Sequence, residues 1–377
     1  MSNTIQTQIY SVGQTFGIPG AENIQMTSHA PCGNPYVPQT NANYKFRKDL
    51  LRNILMYLQA PCGDALYLSG PTGSGKTSAI TEIAARLNWP VQSITARGRL
   101  EFQDLIGHHT LVSEKPGEPA TMKWVYGPLA KAMALGHIFI LNEIDLMDPS
   151  ELSGLNDLLE GRPLVIEQNG GKVIKPHPLF RFVATGNTRG SGDESGIYAG
   201  TVCQNVAAMD RYRMLIVDYP EKDVERAILA AEVPQIPEDL RDKMIKIANE
   251  IRKKFLSEDR ELNVTLSTRK LVQWGKLWTQ CYGAPSPAQM SLDIALLNRC
   301  QTGEREAIDR LCELEFGSAV WTPRPNLLTP MKGTSTSFMG LKSPFRDHPR
   351  NPLHFFIFLK RRLSCPCSTA RFFPVNS

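Results

Sequence analysis

The sequence predicts an α/β fold, with a parallel sheet flanked by helices and a smaller all-helical domain after it. Between Ala65 and Val217, short apolar runs typical of strands alternate with amphipathic runs typical of helices. This alternation is the pattern of parallel strands joined by helical crossovers. From Glu221 to Phe316 the pattern is helical throughout. The chain has 377 residues, 42% of them hydrophobic, which suits one or two globular domains with a packed core.

Composition divides the chain into four segments. Residues 1–43 are polar and rich in Pro, Gly and Asn, and we interpret them as an extended lead-in. Residues 44–220 are the predicted α/β core, and residues 221–317 the predicted helical domain. Residues 318–377 contain nine Lys or Arg and one acid, which indicates a Pro-rich basic tail, disordered or foreign to the domain.

The distribution of charge along the chain indicates which class of partner to expect. The net charge is +5, but the tail contributes +8, so that residues 1–317 carry −3. A mildly acidic body lacks the basic stripe that binding along nucleic acid requires, so nucleic acid is not an expected partner. No apolar stretch reaches the roughly 18 residues of a membrane helix, and we expect no membrane association and a cytoplasmic location. The eight cysteines are scattered, apart from Cys365 and Cys367, and predict idle thiols rather than a zinc site.

The run GPTGSGKT lies between an apolar strand and a helix and has the spacing of a phosphate-binding loop. Its glycines let backbone N–H groups converge on phosphate oxygens without obstruction by a Cβ atom, and the following helix adds the positive end of its dipole. Lys76 is expected to neutralise the β- and γ-phosphates, and Thr77 to offer its hydroxyl to Mg²⁺. The flanking strand and helix disfavour a chance glycine-rich turn. The predicted nucleotide-binding residues are Gly70, Pro71, Thr72, Gly73, Ser74, Gly75, Lys76 and Thr77.

Polar side chains follow two later predicted strands. Glu143 ends the strand in HIFILNEIDLMDP and is expected to polarise an attacking water, with a surface or helix-capping acid as the alternative. Asn187 ends the strand in FRFVATGNT and can hold that water or the γ-phosphate, although alone it is weak evidence. Arg211 precedes another strand and Arg269 begins a helix, and each in isolation reads as a solvated surface arginine.

Local signals predict the elements that follow Glu143. Asp148 is the expected N-cap of a helix that ends at Gly161, with Glu151 closing a capping box. Next, Leu164–Ile166 and Val173–Ile174 read as the arms of a hairpin around a Gly-Gly turn. A hairpin inserted here is unusual for a plain phosphate-loop protein.

Taken in order, GPTGSGKT, ILNEID, the hairpin, ATGNT, MDRYR and STRKL resemble AAA+ ATPases of the MoxR-like branch. ARLNWPVQSITARGRLEFQDLIG and NVAAMDRYR are further similar to CobS-type ATPase subunits of aerobic cobaltochelatase, and the similarity covers about residues 16–316. The resemblance implies an ATP-binding core and a helical lid, with Glu143 as the Walker B glutamate and Asn187 as the first sensor. It also implies that Arg211 is the finger that reaches a neighbour's ATP and that Arg269 is the second sensor.

Asn142 departs from the family pattern, which has an aspartate there that helps to hold Mg²⁺. An amide accepts a hydrogen bond from a metal-bound water but lacks the charge that favours Mg²⁺, so weaker metal binding is expected. Thr77, Asn142 and Asp145 are the expected magnesium residues, with Asp145 restoring a carboxylate nearby. Because Glu143 and the other implied residues match, we predict ATP hydrolysis, slow if Mg²⁺ binds weakly, and a loading-only ATP switch is the alternative.

The resemblance also implies an assembly and partners. Such ATPases form homo-oligomeric rings, commonly hexamers, that remodel or activate a protein partner, in many cases one with a von Willebrand factor A domain. Arg97–Leu105, with Phe102 as its aromatic, is a candidate pore loop, and a plain surface loop is the alternative. The alternative functions are the ATPase subunit of a cobaltochelatase, which drives metal insertion into a tetrapyrrole, a non-hydrolysing scaffold and a nucleic-acid motor.

Overall fold

The structure is a computed structural model whose described part includes most of the predicted core and lid. It describes residues 5–113, 119–193, 196–257, 259, 261–318 and 320–321. The predicted tail from residue 322 onward, with Cys365 and Cys367, lies outside these residues. Within the described part, no helix combines the length and the apolar composition needed to cross a membrane.

Eleven strands and thirteen α-helices are present in the described residues. The strands are β1 (Thr7–Ser11), β2 (Gln25–His29), β3 (Ala65–Ser69), β4 (Val91–Thr95), β5 (Gly107–Val112), β6 (Thr121–Tyr126), β7 (Ile138–Asn142), β8 (Leu164–Ile166), β9 (Lys172–Ile174), β10 (Arg181–Gly186) and β11 (Tyr212–Ile216). The helices are α1 (Val12–Phe16), α2 (Lys48–Gln59), α3 (Lys76–Arg86), α4 (Phe102–Ile106), α5 (Pro128–Leu135), α6 (Pro149–Ser153), α7 (Asn156–Leu159), α8 (Val206–Met209), α9 (Lys222–Glu232), α10 (Glu238–Leu256), α11 (Thr268–Gln280), α12 (Pro287–Ala295) and α13 (Thr302–Phe316).

The central sheet has five strands in the order β11-β3-β10-β7-β4, and every neighbouring pair is parallel. This confirms the predicted fold class. Strand β3 lies between β10 and β11, with Leu66 opposite Val183 on one side and opposite Arg213 on the other. The carboxyl ends of β3, β10 and β7 therefore meet at one edge of the sheet, where ligands of open α/β sheets bind.

Apolar side chains on both faces of the sheet make it a buried layer. On β3, Tyr67 packs into the core on one face, whereas Leu66 and Leu68 pack into the core on the other. On β7, Phe139 and Ile140 divide in the same way. Continuous apolar runs are expected for parallel strands that helices cover on both faces.

The N-terminal segment differs from the predicted extended lead-in. Strands β1 and β2 pair antiparallel, and the short helix α1 lies between them. The Tyr10 hydroxyl donates to the His29 carbonyl (2.9 Å), and Val12 and Met26 are buried in the core beneath α2 and α3. The few apolar residues of this segment, spaced among polar ones, are enough to attach a hairpin to a core formed elsewhere.

Two hairpins project from the core, and only one of them was predicted. Strands β8 and β9 pair antiparallel as expected, and Gly170 and Gly171 in their connection have positive φ values of 65° and 72°. Strands β5 and β6 form a second, unpredicted hairpin, on which Leu111 and Met122 lie opposite each other and are both exposed. Its residues do not alternate cleanly between apolar and polar, so the period-2 signal of a strand is weak.

The helix predicted to begin at Asp148 is divided in two. Asp148 caps α6 by accepting a hydrogen bond from the Ser150 amide (2.8 Å), as predicted. The Glu151 carboxylate does not close a capping box, because it accepts a hydrogen bond from the Phe102 amide (2.7 Å). Helix α6 ends at Ser153, and α7 continues separately to Leu159.

Phe102 does not suit the pore-loop role expected for Arg97–Leu105. Its side chain is half-buried and packs against the core, and a Cβ atom on Gly154 would lie 3.0 Å from the Phe102 ring. Phe102 also begins helix α4. An aromatic held in this way is not available to contact a polypeptide.

Helices α9 to α13 form the predicted helical domain around a core of their own. This core includes Trp321, which is 0% exposed, donates to Asp309 Oδ1 (2.9 Å) and stacks on Phe316. The proposed end of the domain therefore moves from residue 317 to at least residue 321. The helical pattern of the sequence ends at Gly317, before Trp321, so this contact could not be predicted.

Three histidines lie together beneath the sheet edge near β7. His29 Nε2 lies 2.9 Å from the Gly136 carbonyl oxygen, and His137, 2% exposed, has its Nδ1 3.3 Å from Gln92 Nε2. Burial and the neighbouring His29 and His177 lower the pKa of His137 to about 4. Burial also lowers the pKa of His29 and of His177. All three imidazoles are therefore neutral in the folded protein near pH 7.

We expect this histidine cluster to make the protein acid-sensitive. The unfolded chain takes up a proton on His137 near pH 6.5, whereas the folded site resists protonation until about pH 4. Stability present above pH 6.5 is thus lost as the pH falls, by on the order of 2 kcal/mol at about pH 5 for this residue. Urea unfolding at about pH 7 and about pH 5 measures the loss. A His137→Gln variant should lose less, and an equal loss in both proteins would rule out His137 as the cause.

Candidate active site

The predicted phosphate loop connects β3 to α3 at the carboxyl edge of the sheet, and close packing explains two of its glycines. Gly70 has φ +154°, and a Cβ atom there would lie 2.2 Å from the Val217 carbonyl oxygen of the connector after β11. Gly73 has φ +71°, and its Cβ would lie 2.5 Å from the Ser267 Cβ. A side chain at either position would displace the loop from its neighbours.

The carbonyl groups of the loop are held by side chains behind it. Their partners are Lys76 Nζ for Gly70 (2.6 Å) and Pro71 (3.0 Å), the Tyr219 hydroxyl for Thr72 (3.1 Å) and Arg47 Nη2 for Ser74 (3.2 Å). The first amides of α3 have no carbonyl partner within the helix. Because the loop carbonyl oxygens already have donors, the amides at the N-terminus of α3 remain to bind an anion. Arg47 and Tyr219 were not predicted, because nothing in their sequence surroundings distinguishes them.

Lys76 also links the loop to the neighbouring strand, since its Nζ donates to Asn187 Oδ1 (3.0 Å) beyond β10. Burial lowers the pKa of Lys76 to about 8, and the nearby Asp145 and Glu143 carboxylates counteract part of that effect. The ammonium group is therefore mostly charged at pH 7 and loses its charge as the pH rises above about 8. The structure thus brings the predicted Lys76 and Asn187 together.

Asn142 contacts the predicted magnesium residue of the loop directly. The Thr77 hydroxyl donates to Asn142 Oδ1 (2.8 Å), and the Thr185 hydroxyl lies 3.4 Å from the same oxygen. The amide nitrogen faces the Ile94 carbonyl at 3.5 Å, a long contact that a carboxylate oxygen could not make favourably. The site therefore accommodates an amide while keeping one oxygen on Thr77.

Glu143 has an unusual backbone conformation. Its φ of 54° and ψ of 45° are left-handed, which is uncommon for a residue other than glycine. Its amide donates to the Thr185 hydroxyl (3.3 Å), and its side chain is exposed. Backbone strain of this kind is typical of functional sites. The turn directs the chain away from β7 immediately after Asn142, so that the exposed carboxylate stands at the carboxyl edge of the sheet.

Asp145 has a supporting position rather than an open one. It is 0% exposed, and its Oδ2 accepts hydrogen bonds from the amides of Asn187 (2.7 Å) and Thr188 (2.9 Å). Its Oδ1 is buried without a hydrogen-bond partner among the described residues. The carboxylate therefore fixes the turn that carries Asn187. No hydrogen bond in the described part of the chain joins Asp145 to Thr77 or Asn142, and a role in holding Mg²⁺ stays a prediction.

Arg211 lies apart from the phosphate loop of its own chain. Its Nε and Nη2 donate to Glu160 Oε1 (2.9 and 2.5 Å), and its Nη1 donates to the Ala207 carbonyl (2.5 Å). Arg162 Nη2 pairs with the other oxygen of Glu160 at 2.8 Å. The two arginines lower the pKa of Glu160. Arg211 is thus a restrained surface cation that does not line the pocket beside its own loop.

A pocket of about 410 Å³ lies between the phosphate loop and the helical domain. This volume is in the usual range for a small-molecule site. Arg269 lines it from the start of α11 and is exposed, and its side chain has no hydrogen bond or ion pair to another described residue. Other cations of the lining are Lys45, Arg47 and Lys276. The pocket brings the predicted Arg269 and loop glycines to one cavity of positive charge.

Comparisons of the chain with known proteins identify its family. The family described as AAA domain (dynein-related subfamily) matches residues 65–199, and the family described as CbbQ/NirQ/NorQ C-terminal matches residues 225–314. Aerobic cobaltochelatase subunit CobS from a Sinorhizobium species is 30% identical over 324 residues, which are 84% of this chain and 93% of that protein. A protein of Staphylococcus haemolyticus is 26% identical over 67% of this chain and 90% of its own length. The Thermotoga maritima RuvB Holliday junction branch migration motor aligns over 75% of each chain with 13% identity and a TM-score of 0.40.

The two family matches fall on different parts of the described structure. The first covers the phosphate loop, Asn142, Glu143 and Asn187, and the second covers most of the helical domain with Arg269. The loop geometry supports binding of a nucleotide. The chain therefore belongs to the MoxR-like family of AAA+ ATPases and is similar to its CobS-type members.

Proposed function

We propose that the protein binds and hydrolyses Mg-ATP as a member of a ring assembly and uses this energy to remodel or activate a protein partner. One observation supports the proposal most directly. The side chains of Lys76, Asn142, Glu143 and Asn187 stand at the carboxyl ends of three neighbouring strands, or just beyond them. This arrangement gathers a cation for phosphate, a support for a metal, a carboxylate and an amide in one place.

In the proposed reaction, the loop amides and Lys76 bind the β- and γ-phosphates. Asn187 accepts a hydrogen bond from Lys76, so it is placed beside the same phosphates. Glu143 polarises a water molecule, whose oxygen forms a bond to the γ-phosphorus while the bond from that phosphorus to the β–γ bridging oxygen breaks. The proton of the water passes by way of the Glu143 carboxylate to the released phosphate, and ADP is the other product.

Thr77 and Asn142 fit a magnesium ion of the kind that accompanies ATP. Hydroxyl and amide oxygens are hard ligands, and Mg²⁺ commonly keeps several waters in such sites. Thr77 would bind the ion directly, and Asn142 would hold it through water. When bound, the ion supplies positive charge that neutralises the phosphate oxygens during the transfer. The absent carboxylate at position 142 predicts a weaker site than an aspartate would give.

The position of Arg211 supports the proposal that several copies of the chain assemble as a ring. The Arg211 carbonyl accepts a hydrogen bond from the amide of Ala65, the first residue of β3, whereas the phosphate loop follows the other end of that strand. The proposed action of Arg211 on ATP therefore requires the ATP of a neighbouring copy. Arg269, by contrast, lines the pocket of its own chain and would bind the phosphates from the lid. Arginine suits both roles, because its charge is permanent and its planar fork grips two oxygens at once. A hexamer is the proposed ring size.

Two neighbouring hairpins provide a surface for the partner. His109 Nε2 on β5 lies 2.9 Å from the Gln168 carbonyl oxygen, which joins the β5–β6 hairpin to the β8–β9 hairpin. Leu111 and Met122 on the first are exposed, as are Val165 and Val173 on the second. Exposed apolar side chains on these two hairpins suit a protein partner, for which a von Willebrand factor A domain is our proposal.

Substitution of Asn142 by Asp tests the proposed magnesium site. We expect Asn142→Asp to lower the Mg²⁺ concentration that gives half-maximal ATP turnover by about tenfold, because it adds a negative charge beside Thr77. Steady-state turnover of ATP, followed across a titration of Mg²⁺, gives this concentration for both proteins. An Asn23→Asp variant makes the same chemical change at an exposed position of the N-terminal segment and should leave the titration unchanged.

The same titration tests whether the protein is an enzyme. Turnover of ATP by the unsubstituted protein supports the proposal, and Asn142 then replaces the family aspartate without loss of hydrolysis. If the unsubstituted protein binds ATP and assembles but turns over only after Asn142→Asp, an ATP-gated scaffold is the better description. The absence of ATP binding in both proteins would contradict the proposal as a whole.

A second candidate function is the ATPase subunit of a cobaltochelatase, in which ATP drives metal insertion into a tetrapyrrole. It is favoured by the 30% identity to CobS over 93% of that subunit. The test combines this protein with the remaining subunits of an aerobic cobaltochelatase and measures ATP-dependent cobalt insertion into the tetrapyrrole. Insertion in this mixture, and none when the protein is omitted, would establish it. Its absence, with ATP turnover intact, would leave the more general function.

A further inference from the structure

We infer that Tyr219 and the buried pair Arg252–Glu225 form a positioning unit that ties the phosphate loop to the lid helix carrying Arg269. The inference deepens the proposed function, on which it rests, by naming side chains that act through others rather than on ATP. None of the three is part of a recognised motif in the sequence. Each is connected to the next by a contact in the structure, from the loop to the start of α11.

The unit begins at the phosphate loop with Tyr219, which lies in the connector between β11 and α9. Its hydroxyl donates to the Thr72 carbonyl (3.1 Å) and lies 3.3 Å from Thr265 Oγ1. Thr72 is in the loop, whereas Thr265 precedes α11 in the lid. The Tyr219 hydroxyl therefore joins the two parts of the site at the point where the chain passes from core to lid.

The tyrosine ring is held from the lid side by Arg252 on α10. The Arg252 guanidinium carbon lies 4.3 Å from the centre of the Tyr219 ring, a distance typical of a cation–π contact. Burial raises the pKa of Tyr219, so that its hydroxyl keeps its proton and remains a donor to Thr72. If the Thr72 carbonyl moves, Tyr219 moves with it, and any movement of the Tyr219 ring disturbs its contact with Arg252.

Arg252 is itself fixed by a buried ion pair. Arg252 and Glu225 side chains are 3% and 0% exposed, and two hydrogen bonds of 2.8 Å connect them. Arg252 Nε also donates to the Leu266 carbonyl (2.8 Å). Buried ion pairs contribute little net stability, because desolvation offsets their attraction. Their fixed geometry is the reason to expect a role in orientation here, since the pair connects α9, α10 and the segment before α11.

The unit ends at the N-terminus of α11. The Thr268 hydroxyl donates to Glu225 Oε1 (2.8 Å), and Arg269 is the next residue. Ser267 caps the same helix by accepting a hydrogen bond from the Lys270 amide, and it packs on Gly73 so closely that a Cβ there would collide with it. Packing of Ser267 against Gly73 thus holds the start of α11 to the loop. The Arg252–Glu225 ion pair connects the same start of α11 to Tyr219.

These contacts connect two groups that the proposed function places on the same phosphates. The amides near Thr72 bind phosphate from the loop, and Arg269 binds it from the lid. When bound phosphate shifts the loop, the Thr72 carbonyl moves and displaces Tyr219. The Arg252–Glu225 ion pair, which contacts both Tyr219 and Thr268, then shifts the position of Thr268. Tyr219 is therefore a positioning residue, and the lid and loop should respond to ATP as one unit.

A double-mutant cycle tests the unit through the affinity for ATP. Tyr219→Phe removes the hydroxyl but keeps the ring beneath Arg252, and Thr268→Val removes the hydrogen bond to Glu225 without leaving a charge unpaired. We expect each to weaken ATP binding by about three- to tenfold, a loss of the size that one hydrogen bond contributes. We expect the double variant to bind ATP about as weakly as the weaker of the two single variants, because both break the same connection.

Equilibrium binding of ATP, measured by isothermal titration calorimetry without turnover, supplies the four affinities. Tyr10→Phe is the matched control, since the Tyr10 hydroxyl makes a similar bond to a backbone carbonyl, that of His29 (2.9 Å), in the N-terminal hairpin. It should leave ATP affinity unchanged. The urea midpoints of all variants confirm that they are folded. Two independent local losses would multiply, whereas loss of one shared connection would not, so the cycle separates positioning from two unrelated weakenings.

Two results would overturn the inference. One is that the two substitutions multiply, so that the double variant loses the product of the single effects and the residues act independently. The other is that Tyr219→Phe binds ATP as the unsubstituted protein does. Neither depends on hydrolysis. If the protein binds ATP without turning it over, the proposed enzyme function fails while the cycle still decides whether the positioning unit exists.

Discussion

Replacing Glu143 by Gln is expected to lower ATP turnover by at least about a hundredfold, the usual contribution of a general base. ATP binding should be retained, because the amide keeps the size of the side chain and Lys76 and the loop amides are untouched. The reason is chemical: an amide cannot accept the proton of an attacking water. Steady-state release of phosphate measures turnover, and equilibrium binding of ATP measures the ground state.

The control for this substitution is Glu238→Gln, an exposed glutamate in the first turn of α10. It should turn over ATP at the unsubstituted rate. If Glu143→Gln hydrolyses ATP normally, Glu143 is a surface acid and its left-handed backbone has another cause. If Glu143→Gln loses binding as well as turnover, the carboxylate supports the fold of the site rather than the chemistry.

Replacing Arg211 by Ala is expected to lower turnover by about a thousandfold in the assembled protein, the lower range for an arginine finger. The affinity of each chain for ATP should change little, since Arg211 is paired with Glu160 and does not line its own pocket. Light scattering measures whether the variant still assembles. Arg213→Ala is the matched control, because Arg213 lies two residues further along and pairs with Asp64 on the surface.

Mixing the two inactive variants gives a direct test of the neighbour's contribution. A subunit with Arg211→Ala keeps Glu143, and a subunit with Glu143→Gln keeps Arg211. In a ring that assembles from equal amounts at random, about a quarter of the interfaces combine the two intact residues and should regain activity. If the mixture stays inactive although it assembles, Arg211 does not act across the interface. If Arg211→Ala is fully active, the arginine is a surface residue.

The central sheet and the phosphate loop could be predicted from the sequence because their signals are local. Buried parallel strands such as β3 and β7 are short apolar runs, and the loop spacing between β3 and α3 is specific. The β8–β9 hairpin was equally clear from its Gly-Gly turn. The β5–β6 and β1–β2 hairpins lacked such signals, because their residues are held by a core that other segments form.

The positioning unit shows a different limit of prediction. Glu225 is buried one turn before the buried Leu229 of α9, and Arg252 is buried between Ala248 and Phe255 on the apolar face of α10. A charge on an apolar face is a usable signal that a buried partner exists. The sequence does not say which partner, since any two such charges in the lid fit equally well. The contact between Asn142 and Thr77 could not be predicted for the same reason, because it depends on how close the end of β7 lies to the start of α3.

The strand order has a consequence for how the molecule folds. Strand β3, which leads into the phosphate loop, pairs only with β10 and β11, and both follow it by more than a hundred residues. Contacts of such large sequence separation form slowly, because the long intervening segment must be closed first. The shape of the loop is therefore not a local property of GPTGSGKT, and isolated fragments that carry this motif should not reproduce it. We expect the loop to acquire its shape only after β10 and β11 have paired with β3.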